Sequence, residues 1–154
     1  MKTLLAASLA ALIMMLGGCA STVQPSYTAS VDFVSRGAPG TIIVRSSGFG
    51  KDAGTAGANA EINAFSVLLF KGLPGTELNV PLVENESAAR AANPDYFARF
   101  FDQGEYRKFM MSSTSSSNPV NVSGGVAVEL RIKINYNSLR KDLEDNQVIR
   151  KFGF

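Results

Sequence analysis

The stretch Val126 to Tyr136, VAVELRIKINY, alternates strictly. Val126, Val128, Leu130, Ile132, Ile134 and Tyr136 fall on one side, and Glu129, Arg131, Lys133 and Asn135 fall on the other. A period of two over this length is a β-strand, because successive side chains point to opposite faces of a sheet. A charged second face requires water there, so the strand belongs to an antiparallel sheet with one face on the core and one exposed. That arrangement calls for helices on the apolar face only.

A second pattern supplies such a helix. TIIVRSS from Thr41 is β-branched and lies between Gly40 and Gly48, so it reads as a strand. From Asp52 the period changes: Ala56, Ala60, Ala64 and Leu68 recur every four residues, with Val67 beside that line. The seam is unusually small-sided and lets a helix lie close to a sheet. Asp52 is placed to cap the helix, and Gly72, Leu73 and Pro74 read as a glycine cap, an apolar contact and a stop. Gly54 and Gly57 each weaken the first turns by up to about 1 kcal/mol, which predicts a late start.

Elsewhere the signals are shorter. VDFV (Val31 to Val34) and LNVPLV (Leu78 to Val83) read as edge strands, the second because Pro81 bars a central position. ENESAARAANP reads as a short helix. Asn93, Pro94 and Asp95 then form a start signal for a helix carrying Phe97, Phe100 and Phe101 on one face. EYRKFMMSST from Glu105 reads as a strand followed by a loop, Ser112 to Pro119. Asn137 or Ser138 caps a helix with Leu139 and Leu143 on one stripe, and QVIRKFGF reads as a last strand. The predicted fold class is α+β: an antiparallel or mixed sheet of about four strands with helices packed on one face.

The N-terminus carries a different kind of information. MKTLLAASLAALIMMLGGCAS places one positive charge before an apolar run, Leu4 to Leu16, too short for the roughly 20 residues of a membrane span. Small residues then precede the only cysteine, Cys19. This resembles the lipobox of bacterial lipoproteins, with Leu16, Gly17 and Gly18 ahead of the modified cysteine. The resemblance implies cleavage before Cys19, a diacylated sulfur and an acylated new amino terminus; Ala20 in place of aspartate implies sorting to the outer membrane. The expected organisation is a signal peptide at 1–18, a lipidated N-terminus and flexible tether at 19–40, and a single α+β domain at 41–154. Losing Lys2 with the signal lowers the formal charge from +2 to +1, too weak a field for nucleic acid.

Several chemistries are excluded by residue type. The chain has no histidine and one cysteine, so Ser-His or Cys-His nucleophiles and His- or Cys-ligated zinc are not available. A P-loop needs Gly-Lys-Ser/Thr, whereas Gly50 and Lys51 are followed by Asp52. Gly48, Gly50 and Gly54 come nearer a dinucleotide fingerprint, but the chain after the signal is too short for a full Rossmann sheet. The glycines are therefore read as a tight strand-to-helix turn, with no cofactor and no metal. Asp95, Asp102 and Glu105 are read as solvated caps and turn acids, leaving a non-enzymatic protein.

Val44, Gly48, Gly50, Ala56, Ala60, Ala64, Phe65, Leu68 and Gly72, with the strand Val126 to Ile134, resemble the LPP20-like, FlgP-like envelope lipoproteins, over roughly residues 42–72 and 126–136. In that group a strand with spaced glycines leads into a helix of spaced alanines that ends at glycine and returns as a strand. The chain has FSVLLFKGLPG where the group has a tyrosine and a Leu-Ala-Glu signature, so what the resemblance implies is the fold. The expected partners are the membrane, through Cys19, and an envelope protein or a second copy of the chain. Phe97, Phe100, Phe101 and Tyr106, with Arg131 and Lys133, are the candidate partner or ligand surface, although an aromatic stripe at helical spacing is more often core.

Overall fold

The computed structural model of the chain describes residues 28–151. Five strands form one sheet, β1 (Val31–Arg36), β2 (Thr41–Gly50), β3 (Met110–Ser115), β4 (Val120–Val122) and β5 (Gly125–Asn135). The order is β1-β2-β5-β3, with β4 on the same side of β5 as β3, and every pairing is antiparallel. Among the described residues four helices accompany it: α1 (Ala53–Phe70), α2 (Glu86–Ala92), α3 (Pro94–Phe97, continued by a π-helical turn, Ala98–Asp102) and α4 (Tyr136–Asp145). The fold is α+β, and the sheet includes VDFV as its edge, ten residues before Thr41.

The alternating stretch is the centre of the sheet. β5 pairs with β2 from Thr41↔Asn135 to Gly50↔Val126. Val44, Ile132 and Ile134 are fully buried on one face, while Arg45 and Arg131 are exposed on the other. The helices share the apolar face, where Ala56, Ala60, Ala64, Phe65, Leu68 and Leu69 of α1 are buried in the core.

Gly48 and Gly50 are not turn residues. Both lie in β2, and the turn into α1 is only Lys51 and Asp52. A Cβ on Gly48 would come within 2.1 Å of Ala56 O and 2.3 Å of Ala60 N, and one on Gly50 within 2.6 Å of Ala56 N. Strand and helix backbones thus touch, which only glycine facing alanine permits. Buried Ser46 exploits the approach, its hydroxyl donating to Ala60 O at 2.7 Å. Beyond the end of β1, Asn63 donates to Ser47 O (3.0 Å) and Asn59 to Phe49 O (2.7 Å), so α1 side chains meet strand carbonyls along the open edge.

Other local expectations shift. Asp52 accepts from Thr55 N and α1 starts at Ala53 despite the glycines, because the cap and the sheet contact outweigh propensity. That bond holds the Asp52 carboxyl below its ordinary pKa. Leu78 to Val83 is not a strand: its amides at Leu82 and Val83 donate back to Leu68 and Leu69 carbonyls near the end of α1. Glu105–Phe109 is a 3₁₀ turn, with β3 starting only at Met110. The cap of α4 is Asn135, the last residue of β5, accepting from Ser138 N, not Asn137 or Ser138. Asn93 holds the N-cap position of α3 as expected, but its side chain makes no cap hydrogen bond there; it donates to Ala89 O and closes α2. After α4, Val148 and Ile149 fold against the core without forming a strand, and residues 152–154 of the expected last strand lie outside the described residues.

The close approach predicts opposite outcomes at two glycines. Gly48→Ala is expected to destabilise by about 3 kcal/mol, since fixed backbone atoms occupy the Cβ position. Gly57→Ala, with nothing within 4 Å, is expected to stabilise by about 0.5–1 kcal/mol. Urea denaturation of the two variants checks the contrast.

Candidate functional site

Cys19 lies outside the described residues. The remaining candidates separate into two groups on opposite sides of the sheet.

Phe97, Phe100 and Tyr106 are buried in the core, and Phe101 packs half-buried against it. Phe100 is ringed by Phe65 (6.0 Å), Tyr96 (5.7 Å), Phe101 (4.9 Å), Tyr106 (6.3 Å) and Phe109 (6.1 Å). The rings fill one another's faces. The π-helical turn widens the helix here and brings Phe100 and Phe101 inward together. A groove of about 920 Å³ opens elsewhere, between Leu78 to Asn93 and α4 with the residues after it.

A cation completes this block. The Arg90 guanidinium of α2 sits 5.0 Å from Phe70, 5.2 Å from Phe97 and 5.0 Å from Phe101, with Glu86 accepting from its Nε at 2.9 Å. Helix α2 has no buried residue, so Arg90 is its principal attachment, together with half-buried Ala89. Nothing in the sequence pairs Arg90 with rings at positions 70, 97 and 101, because the three meet only in the tertiary fold.

The polar groups around the aromatics are tied to one another. Tyr96 donates to Asp142 (2.9 Å), which also meets Lys108 (3.0 Å); Lys108 and Arg99 meet Glu105 (3.4 and 3.6 Å). Desolvation works against the Lys108 charge, but Asp142 and Glu105 outweigh it and raise its pKa. Tyr106 and Arg107 both donate to Glu61 of α1 (3.2 and 3.1 Å). Glu105 is therefore an ion-pair member, and this group joins α1, α3 and α4 as a structural network.

Arg131 and Lys133 lie on the far face of β5, as the alternation requires. Arg131 is exposed beside Thr114 and Arg45 in the pairing register, and Lys133 is half-buried beside Ser112 and Ile43. Arg45 approaches Asp32 and Glu129 at 3.7 Å each, pairs exposed enough to add little stability. The face can offer hydrogen bonds and mixed charge to a partner. The helices lie on the other side, so the structure does not bring Arg131 and Lys133 together with the aromatic candidates.

Among the described residues no group of three or more metal-ligating side chains is found, and no helix is long and apolar enough to cross a membrane. No family model matches the chain, and comparison with curated proteins and with solved structures returns no match.

Burial raises the Tyr106 phenol to about 12, helped by Glu61, and burial and Asp142 raise Tyr96 further. The folded state holds these protons above pH 10 while the unfolded chain releases them, so stability falls as pH rises from about 10 toward 12. Tyr106→Phe should flatten that decline, as followed by urea midpoints against pH.

Proposed function

We propose that the chain is a cell-envelope lipoprotein, held to the outer membrane by acyl chains on Cys19 and acting without catalysis as a structural or assembly component. The observation that carries this reading is the sequence LGGC directly after a charged and apolar leader. The fold analogy with the LPP20-like lipoproteins is consistent with it, since the glycine-alanine seam they share by resemblance is here a packing contact.

The arrangement of the domain supports an interaction role. Its helices occupy one face of the sheet, and its ionisable clusters there are engaged in internal pairs. The other face presents Arg131, Lys133, Thr114 and Ser112 on a rigid strand scaffold, suited to a partner bearing acceptors and carboxylates. Partner proteins of the envelope, or a second copy, fit this chemistry.

A photo-crosslinking residue at Arg131 or Lys133 in intact cells tests the reading. Discrete adducts with an envelope protein or with the chain itself are expected from both positions, falling about tenfold when the unmodified one of the two is changed to Glu. Adducts from neither position, alongside a strictly monomeric purified domain, would contradict it.

A further inference from the structure

The exposed face of the sheet is polar along most of its length and apolar at one end. Phe49, Ala127 and Val120 are aligned across β2, β5 and β4, since Phe49 and Val120 both pair with Ala127. Val122 is next on the same face of β4, opposite Gly125, and the Phe49 ring reaches toward Gly124 and Gly125. Ala127 and Val122 are buried yet stand apart from the main core, while Phe49 is 38% and Val120 52% exposed. This is a second, small apolar cluster open to the outside.

Two further features mark this end. Residues 109–128 contain no charged side chain, so the hairpin and the β3–β4 connection meet a low-dielectric surface without stripping water from an ion. The chain also arrives here: Ser30 hydrogen-bonds Ser47 in both directions, and Ala29 borders a cavity with Phe49 and Asn59.

We infer that this end of the sheet, Phe49 and Val120 with the hairpin around Gly124, rests on the lipid bilayer surface. The inference rests on the proposed anchor at Cys19. The 9 residue steps from Cys19 to Thr28 span at most about 30 Å when fully extended. The 11-residue strand β5 is itself about 34 Å long, so an upright domain can present only the end where its chain arrives. A patch of this size binds lipid weakly alone, but tethering holds it at a local concentration on the order of millimolar, where weak contact suffices.

The sole cysteine allows a direct test. The chain from Cys19 onward is coupled through that thiol to a maleimide phospholipid in phosphatidylethanolamine/phosphatidylglycerol vesicles, and amide hydrogen exchange is compared with the uncoupled protein. Exchange at Val120 to Gly124 is expected to slow about fivefold or more, with no change in the Gly37 to Gly40 turn at the opposite end. Val120→Asp, at an exposed position that should leave folding intact, and Phe49→Ser are each expected to abolish the protection. Equal exchange at the hairpin with and without vesicles, protection that survives both substitutions, or protection that needs added envelope proteins would overturn the inference, the last in favour of a protein partner. Because the coupling is chemical, the outcome does not depend on whether cells acylate Cys19, and failure of the anchor reading remains a separate result.

Discussion

The contact between the backbone of α1 and the two glycines of β2 sets the geometry of the whole domain. A methyl group at Gly48 would overlap helix backbone atoms, so the separation of helix and sheet is fixed by main chain, not by adaptable side chains. At that distance Ser46 can reach Ala60 O, and Asn59 and Asn63 can reach carbonyls of the β2 edge. The helix is locked in register as well as in distance. Its second half then diverges into larger residues, Phe65, Leu68 and Leu69, which carry the core outward.

The aromatic block fills the space that this divergence opens. Phe65 of α1 touches Phe100 and Tyr106, so the small-sided half of the helix packs on the sheet while the large-sided half packs on α3 and the 3₁₀ turn. Glu61, Asp142 and Glu105 then tie the polar rims of those elements together. The helices and these pairs cover one face of the sheet, and the other carries no helix among the described residues.

The central elements were legible because their signals are local and repeated. Strict alternation in β5 and the four-residue alanine spacing in α1 each determine type and face without reference to the rest of the chain. Glycine was legible as necessary but not in its role: a turn and a close approach use the same residue, and only the tertiary contact distinguishes them. Leu78 to Val83 misled because its apolar residues serve the end of α1, not a strand partner. Asn135 was hidden because one residue both ends β5 and caps α4. Of the candidate site, the outward position of Arg131 and Lys133 followed from alternation, whereas Arg90 over three phenylalanines and the Phe49–Ala127–Val120 row depend on contacts between distant segments.

A chemically specific N-terminus precedes a domain in which Tyr96, Arg99, Glu105, Tyr106 and Lys108, beside the aromatic block, are engaged in internal pairs. With Cys19 acylated as proposed, the domain works by position: the lipid would fix where it is, and the open face would decide what it meets. The most direct test is intact-mass spectrometry of the protein extracted from the cell envelope. The expected result is a chain beginning at Cys19 with the added mass of a diacylglyceryl group and an amide-linked acyl chain. A protein that retains residues 1–18, or begins elsewhere with an unmodified Cys19, would contradict the proposal.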